Sequence, residues 1–374
     1  MVKGIQLTLM IGTAVPRPAP ASVVEALQSV QVTSSRDRSG FQLTFAAGKD
    51  SALLRTLLPS GYLDPMITRV IIVVTVGGVP YVLMDGVITR QEVSPSNEPG
   101  QSTISVTGED LSVLMDVVEV IRPFPAMPEI AQIYTVLAPY AALGVVPVAI
   151  PPVIPVVKIP TEGFDSQTTT DLNYLKTLAR TCGYVFYVEP GPLPGSSIAY
   201  FGPDIQIPIP QPALTGNMDA HSNVESMSFS LDGLAKKVTI FTVFDPITKK
   251  IPIPLPVPDI NILHPPLGAR PTPPAKVEFA SNLSTLKPDE AIQRVLGMLF
   301  SASTAISGNG SLDVLRYGHV LRSRQVVGVR GAGPAYDGFY YVDSVTHHLK
   351  RGEYKQDFTL SRDGLLSTTP RIPV

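Results

Sequence analysis

The side chains best suited to bind a metal or act as a nucleophile are the adjacent pair His347-His348 and the single cysteine, Cys182. Neighbouring residues in a strand point to opposite faces, so the two histidines cannot chelate one metal by themselves. One inward and one outward histidine is the expected arrangement. Cys182 closes an apolar helical pattern, where a small buried core residue is expected rather than a nucleophile. Asp165, Asp171 and Glu189 could supply the carboxylate pair that glycoside hydrolysis needs. They adjoin helix starts and turns, where an acid ordinarily caps a backbone. The chain has no Gly-rich loop ending in Lys-Ser/Thr, no His-Glu-x-x-His, no Cys-x-x-Cys and no Gly-x-Ser-x-Gly. No catalytic, cofactor-binding or metal-ligating residue is therefore expected, and no cofactor.

Composition points the same way. Charged residues make up 16% and hydrophobic ones 44% of 374 residues, with a mean hydropathy of +0.21. A chain so poor in charge is expected to cover much of its surface with partners. A net charge of −2 and the lack of any basic run argue against sequence-specific nucleic-acid binding. One cysteine excludes an internal disulfide and implies no oxidising compartment. The N-terminus lacks a signal-peptide layout. The apolar stretch 141–157 is broken by Pro147, Pro151, Pro152 and Pro155, so no stable membrane insertion is expected there; it reads as an extended connector packed on protein.

The elements that would position these residues are mostly strands. Tyr340 to Arg362 reads as a hairpin turning at Lys350-Arg351-Gly352-Glu353, with Gly352 free to take a positive φ. Its second limb places Tyr354, Phe358 and Leu360 on one face. A weaker copy lies about 250 residues upstream. Val82–Arg90 aligns with Tyr340–His348, pairing Asp85 with Asp343 and Val87 with Val345, and Ile104–Leu111 aligns with Phe358–Leu365. Each copy follows a Val-rich limb, Val70–Gly78 in one case and Gln325–Gly331 in the other. A three-strand order occurring twice suggests one β unit duplicated within the chain.

In chain order, residues 1–19 read as an N-terminal arm, and 20–122 as a first β unit with a strand at Gly40–Phe45 and a helix opening at Glu109-Asp110. An inserted α+β region spans 123–222. It holds a helix over Pro128–Leu143, a second helix capped by Thr169 or Thr170 and stopped at Gly183, and a strand Tyr184–Val188. The rest, 223–374, returns to β texture with strands at Ser226–Leu231 and Lys237–Phe244 and a helix starting at Pro288. Pro252, Pro254, Pro256 and Pro258 predict a stiff polyproline-like loop over 246–275.

Two runs carry a family resemblance. They are Tyr340-x-Val-x-Ser-Val-Thr-His-His348 continuing through Gly352-Glu-Tyr-x-Gln-x-Phe-Thr-Leu-Ser-Arg-x-Gly-Leu365, and Asp171-Leu-x-Tyr-Leu-x-x-Leu-Ala179 leading to Gly183-Tyr-x-Phe-Tyr-Val188. Together they resemble the phage late control D group, the baseplate hub proteins of contractile tails, related to the hub half of type VI secretion spike proteins. The resemblance implies a mainly β chain in which two related tube-like β-barrels flank a middle α+β region. It implies a homotrimeric ring matching a hexameric tail tube, or its initiator protein, on one side and a trimeric spike on the other. No spike, OB-fold or lysozyme region follows the last strands before Val374, so the spike is expected to be a separate polypeptide, with baseplate wedge proteins around the ring. The place of action would be the virion baseplate or an injection particle, assembled from protein made in the host cytoplasm.

The hairpins expected to make ring and tube contacts are marked by Val82, Asp85, Val87, Ile104 and Val106 in the first copy. In the second they are Tyr341, Asp343, Val345, Tyr354, Phe358 and Leu360. Two rival functions remain at this level: a tail-associated cell-wall or glycan hydrolase using Asp or Glu acids, and a β-rich adhesin. Zero Trp and 7% aromatic residues leave the adhesin few sugar-stacking surfaces.

Overall fold

Alternating or continuous apolar runs make strands of much of this chain, and turn glycines set where several of them end. The computed structural model describes residues 4–13, 15–36, 38–48, 50–98, 101–153, 155, 164–204, 210–244, 252–257, 266–279, 293, 297 and 304–369. The first part holds β1 (Ile5–Gly12), β2 (Arg17–Pro18), a short helix α1 (Ala21–Ala26), β3 (Leu27–Ser35), β4 (Ser39–Ala46), β5 (Arg69–Val76), β6 (Val79–Ser94) and β7 (Thr103–Asp110). Phe41, Leu43 and Phe45 of β4 all face the core, as their spacing predicts. Gly77 and Gly78, at φ +60 and +88, turn β5 into β6.

The described residues of the expected arm over 1–19 are part of the sheet instead. Ile5 to Gly12 pairs antiparallel with Val76 to Arg69, which makes β1 a full strand of the sheet. Its partner lies roughly 60 residues away in sequence, beyond the reach of local propensity. Glu109 and Asp110 stay in β7, and Asp110 caps only a short 3-10 helix, Leu111–Asp116, by accepting from the Ser112 N–H.

The middle region contains β8 (Glu119–Phe124), α2 (Glu129–Leu137), β9 (Val145–Ala149), β10 (Asp165–Thr170), α3 (Asp171–Cys182), β11 (Val185–Pro190) and β12 (Ser197–Gly202). Thr170 caps α3 by accepting from the Asn173 N–H, and Gly183 ends it at φ +70. The α2 helix tightens to 3-10 over Ala138–Leu143 and stops at left-handed Gly144. Part of the expected connector over 141–157 is in fact a strand, since β9 pairs parallel with β12. These elements share a second core around Ile133, Leu137, Leu175, Phe186 and Phe201.

The last part runs through β13 (Gln211–Thr215), β14 (Ser226–Leu231), β15 (Lys237–Phe244), β16 (Pro252–Val257), β17 (Gly268–Pro271), β18 (Lys276–Phe279), β19 (Ile306–Asp313), β20 (Val326–Arg330), β21 (Gly338–Lys350), β22 (Glu353–Arg362) and β23 (Gly364–Ser367). Within the expected polyproline loop, Pro252–Val257 is a strand paired with β15. Prolines at every second position place all their missing donors on one edge, and Ile253, Leu255 and Val257 keep theirs for β15. That arrangement suits an edge strand, and β16 lies at the edge of its small sheet. The helix expected from Pro288 falls outside the described residues, apart from Gln293 and Gly297.

Most strands join one thirteen-stranded sheet with the path β14-β19-β22-β21-β3-β4-β7-β6-β5-β1-β2, and β20 and β13 branch from β21. The path contains one strand set twice. In the first part the neighbours run β3-β4-β7-β6-β5, and in the last part β14-β19-β22-β21-β20. Both sets carry a β-bulge at the same place, between Ile88 and Arg90 in β6 and between Val342 and Ser344 in β21. The fold is mainly β as expected; the thirteen-stranded path is open, the other described strands lie in four smaller sheets, and no closed barrel occurs among the described strands.

The shared bulge corrects the residue pairing between the copies. Arg90 faces Thr107 just past the first bulge, and Ser344 faces Thr359 just past the second. The bulged residues Thr89 and Asp343 are therefore equivalent. Asp85 corresponds to Phe339, not to Asp343, and Val87 corresponds to Tyr341, not to Val345.

Candidate assembly interface

The residues nominated as contacts are mostly core residues. Asp85, Val87, Ile104, Val106, Tyr341, Val345, Tyr354, Phe358 and Leu360 are all buried within this chain. Val82 and Asp343 are half-buried. The sheet does bring the two hairpins into one continuous surface, but a partner would meet the intervening residues on the opposite face.

That face is lined with small hydroxyls. Across β14 and β19, Ser226 Oγ lies 3.0 Å from Ser311 Oγ, and Ser228 hydrogen-bonds Asn309. Ser344 Oγ lies 2.7 Å from Thr359 Oγ1 across β21 and β22. Thr33 and Thr346 meet at 3.2 Å across β3 and β21. Its longer polar side chains come in complementary pairs, His348 Nε2 with Asp357 at 3.0 Å and Lys355 with Glu225 at 2.9 Å. Solvent screens exposed pairs like these, so the face is wettable and close to neutral rather than a charged binding cleft.

The two strand sets meet inside the chain. Ser344 to Lys350 of β21 pairs antiparallel with Ser35 to Ser29 of β3. Arg324 locks this junction to the middle region: its guanidinium sits 3.9 Å over the Tyr187 ring, donates to Ser35 O at 2.6 Å and reaches Glu189 at 3.4 Å. Arg36 pairs with Asp204, which also accepts from the Tyr341 hydroxyl at 3.0 Å. A second tie is the buried ion pair of Arg69 and Asp85, bidentate at 2.6 and 2.7 Å, with Ser197 donating to Asp85 at 3.2 Å and Arg69 donating to Gly195 O at 3.2 Å. In the last part, fully buried Arg362 donates to Ala335 O at 2.9 Å and Asp337 O at 3.0 Å and lies over the Tyr340 ring. Spacing singles out none of these four arginines, because each finds its partners on other elements of the fold.

The groups with chemical potential are held in structural contacts. His347 is buried and its Nδ1 accepts from Tyr354 Oη at 2.8 Å and from Gln356 Nε2 at 3.1 Å. Burial, helped by the nearby charges of His348 and Arg322, pushes its pKa down to about 3, so the ring is neutral. His348 is on the opposite face, as strand geometry predicts. Burial pushes the Cys182 thiol up to about 12, which makes it a poor nucleophile. Asp171 accepts from Tyr140 at 2.9 Å and Gln167 at 2.6 Å, and Arg122 lies 3.6 Å away. Asp165 accepts from Gln132 at 3.2 Å, and Glu189 faces Arg324. Among the described residues no group of three or more His, Cys, Asp or Glu is placed to hold a metal, and no helix is long and apolar enough to cross a membrane.

No protein-family model and no curated protein matches this chain. Solved structures do match over nearly its whole length. A tail protein from Neisseria meningitidis MC58 is 15% identical and superposes with a TM-score of 0.62, covering 96% of this chain and 98% of that one. The 43 kDa tail protein of prophage MuSo2 from Shewanella oneidensis is 12% identical with a TM-score of 0.59, covering 96% and 100%. An Escherichia coli component of the type VI secretion system, described as structurally similar to the T4 tail proteins gp27 and gp5, is 10% identical with a TM-score of 0.53, covering 93% and 75%. This chain has the fold of these phage tail and type VI secretion proteins.

Proposed function

We propose that this protein is a structural hub subunit of a phage tail or phage-like injection machine, without an enzymatic role. Three copies form a ring in which each chain supplies two tube-like β units, giving six similar places around one axis. Such a ring adapts a hexameric tail tube, or its initiator, to a separate trimeric spike, with wedge proteins outside. It resides in the virion baseplate or the assembled injection particle.

The observation that carries this reading is the repeated strand set with its shared bulge. A chain with two equivalent units already joined edge to edge contains one step of a ring. Repeating that step head to tail either closes or runs on as a filament. Three chains closing would supply the sixfold likeness without six identical subunits. The near-neutral hydroxyl face suits the inner wall, since it wets readily and holds no ligand of either sign.

Native mass spectrometry of the purified protein, alone and with its tube and spike partners, tests the reading. The expected particle has a mass of about 120 kDa per ring, three times the 40.0 kDa chain. A dimer or tetramer as the largest assembly under every condition would overturn it.

A further inference from the structure

Among the described residues two strand edges remain open, and the chain itself contains the template for joining them. β14 pairs on one side only among the described residues, with β19. The far end of β6 pairs with β7 through Ser94, while its other edge is covered by β5 only as far as Val87. One further backbone exchange follows, in which Ile88 donates to Thr68 O and accepts from Met66 N–H. The equivalent exchange in β21 is Val342 with Gln325 and Arg324. Past it, β21 takes β3 as its neighbour. Past Ile88, β6 has no neighbour on that edge among the described residues.

An exposed edge normally carries a proline, a lysine or an inward charge to block pairing. Ser226-Met-Ser-Phe-Ser-Leu231 carries none of these. It is an unguarded edge, and the equivalent strand in the other set, β3, is the one that docks onto β21.

We infer that β14 of one copy pairs antiparallel with the distal half of β6 of a second copy, in the register that β3 and β21 use within the chain. This rests on the ring reading and supplies its contact. Counting outward from the shared bulge makes Arg90 equivalent to Ser344, and Glu92 to Thr346. Matching β19 to β4 through their partners makes Asn309 equivalent to Gln42, and so Ser228 to Gln31. The internal pairs Ser344 with Ser35, Thr346 with Thr33, and His347 with Val32 then become Arg90 with Asp232, Glu92 with Ser230, and Val93 with Phe229.

The residues brought together fit, although the register was fixed without reference to them. Arg90, which lies 3.2 Å from Glu92 in the single chain, and Asp232 are both exposed there and become opposite charges across the new pair. Val93 and Leu231, each 41% exposed, come onto the core face beside Phe229 and extend the apolar row that Val345, Val32, Leu349 and Val30 form at the internal junction. On the other face Ser228 and Ser230 continue the hydroxyl wall.

Cysteine pairs read the register directly, because the only native cysteine, Cys182, is buried. Opposed residues of an antiparallel pair have Cα atoms about 4.5–5.5 Å apart, within disulfide range. The Glu92→Cys/Ser230→Cys variant, oxidised and run on a non-reducing gel, is expected to give covalent multiples of the chain ending at three. Thr33→Cys/Thr346→Cys serves as the internal positive control for the same geometry. Glu92→Cys/Ser226→Cys, four residues out of register, is expected to cross-link at least tenfold less. Independently, Arg90→Glu is expected to weaken assembly about tenfold, a change that leaves the monomer's urea midpoint in place. A protein that is trimeric by mass but stays uncross-linked overturns this pairing and leaves the ring. One that is monomeric with every partner and uncross-linked overturns both.

Discussion

Met66 and Arg324 occupy the same place in the two halves of the sheet. Each is a non-glycine residue in the left-handed region, at φ +63 and +61, and each donates its N–H to a strand carbonyl just before the bulge, Ile88 O and Val342 O. A left-handed conformation costs a side chain of this kind about 1–2 kcal/mol. Its presence at both equivalent sites marks it as a device of the repeated unit, turning the chain into the last edge-covering hydrogen bond before a neighbouring strand takes over.

Relieving that strain at the site with few other contacts is expected to stabilise. Met66→Gly removes the Cβ clash, loses little packing from a side chain 39% exposed, and costs some unfolded-state entropy. A net gain of about 0.5–1 kcal/mol is expected, read as a higher urea midpoint with unchanged slope. Arg324→Gly is expected to do the opposite, because the lost guanidinium leaves Ser35 O, Glu189 and the Tyr187 ring without their partner.

Breaking the buried pair of Arg69 and Asp85 is expected to be severe. Asp85→Ala leaves a guanidinium 7% exposed without its carboxylate. A buried charge so orphaned costs about 3–5 kcal/mol, measurable by denaturant unfolding. Double replacement by apolar residues of similar volume is expected to recover most of that loss, since it removes the stranded charge.

The buried His347 sets an acid limit on stability. Its pKa is held at about 3 in the folded state against 6.5 in an ordinary setting. Above about pH 6.5 neither state binds the proton and the residue contributes no slope. As pH falls below that value the unfolded chain takes the proton while the folded one does not, so stability drops by up to about 1.4 kcal/mol per pH unit. The window closes near pH 3. His347→Gln is expected to flatten this part of the profile in urea titrations from about pH 7 to about pH 5, and an unchanged slope would assign the acid sensitivity to other groups.

Strand positions were legible wherever alternation was clean, as at Gly40–Phe45, Ser226–Leu231 and Tyr354–Leu360. So was the repeat, but not its register. A bulge inserts one residue, Thr89 or Asp343, with no composition to announce it, and aligning the two aspartates by type slid the copies out of phase. The burial of most of the expected contact residues has a related cause. Apolar spacing finds the residues that face a core, and Tyr341, Val345 and Phe358 do so inside this chain. Which strand ends a sheet depends on pairings between distant segments, such as β1 with β5 and β21 with β3. Local sequence carries no trace of that order.

Averaged images of the assembled particle viewed down its axis test the central claim most directly. Three chains arranged as a closed ring, with six similar sheet segments around one lumen and Ser226–Leu231 of each copy against Arg90–Ser94 of the next, is the predicted result. A particle in which each chain's two strand sets face different surroundings, with no common axis relating them, would contradict it.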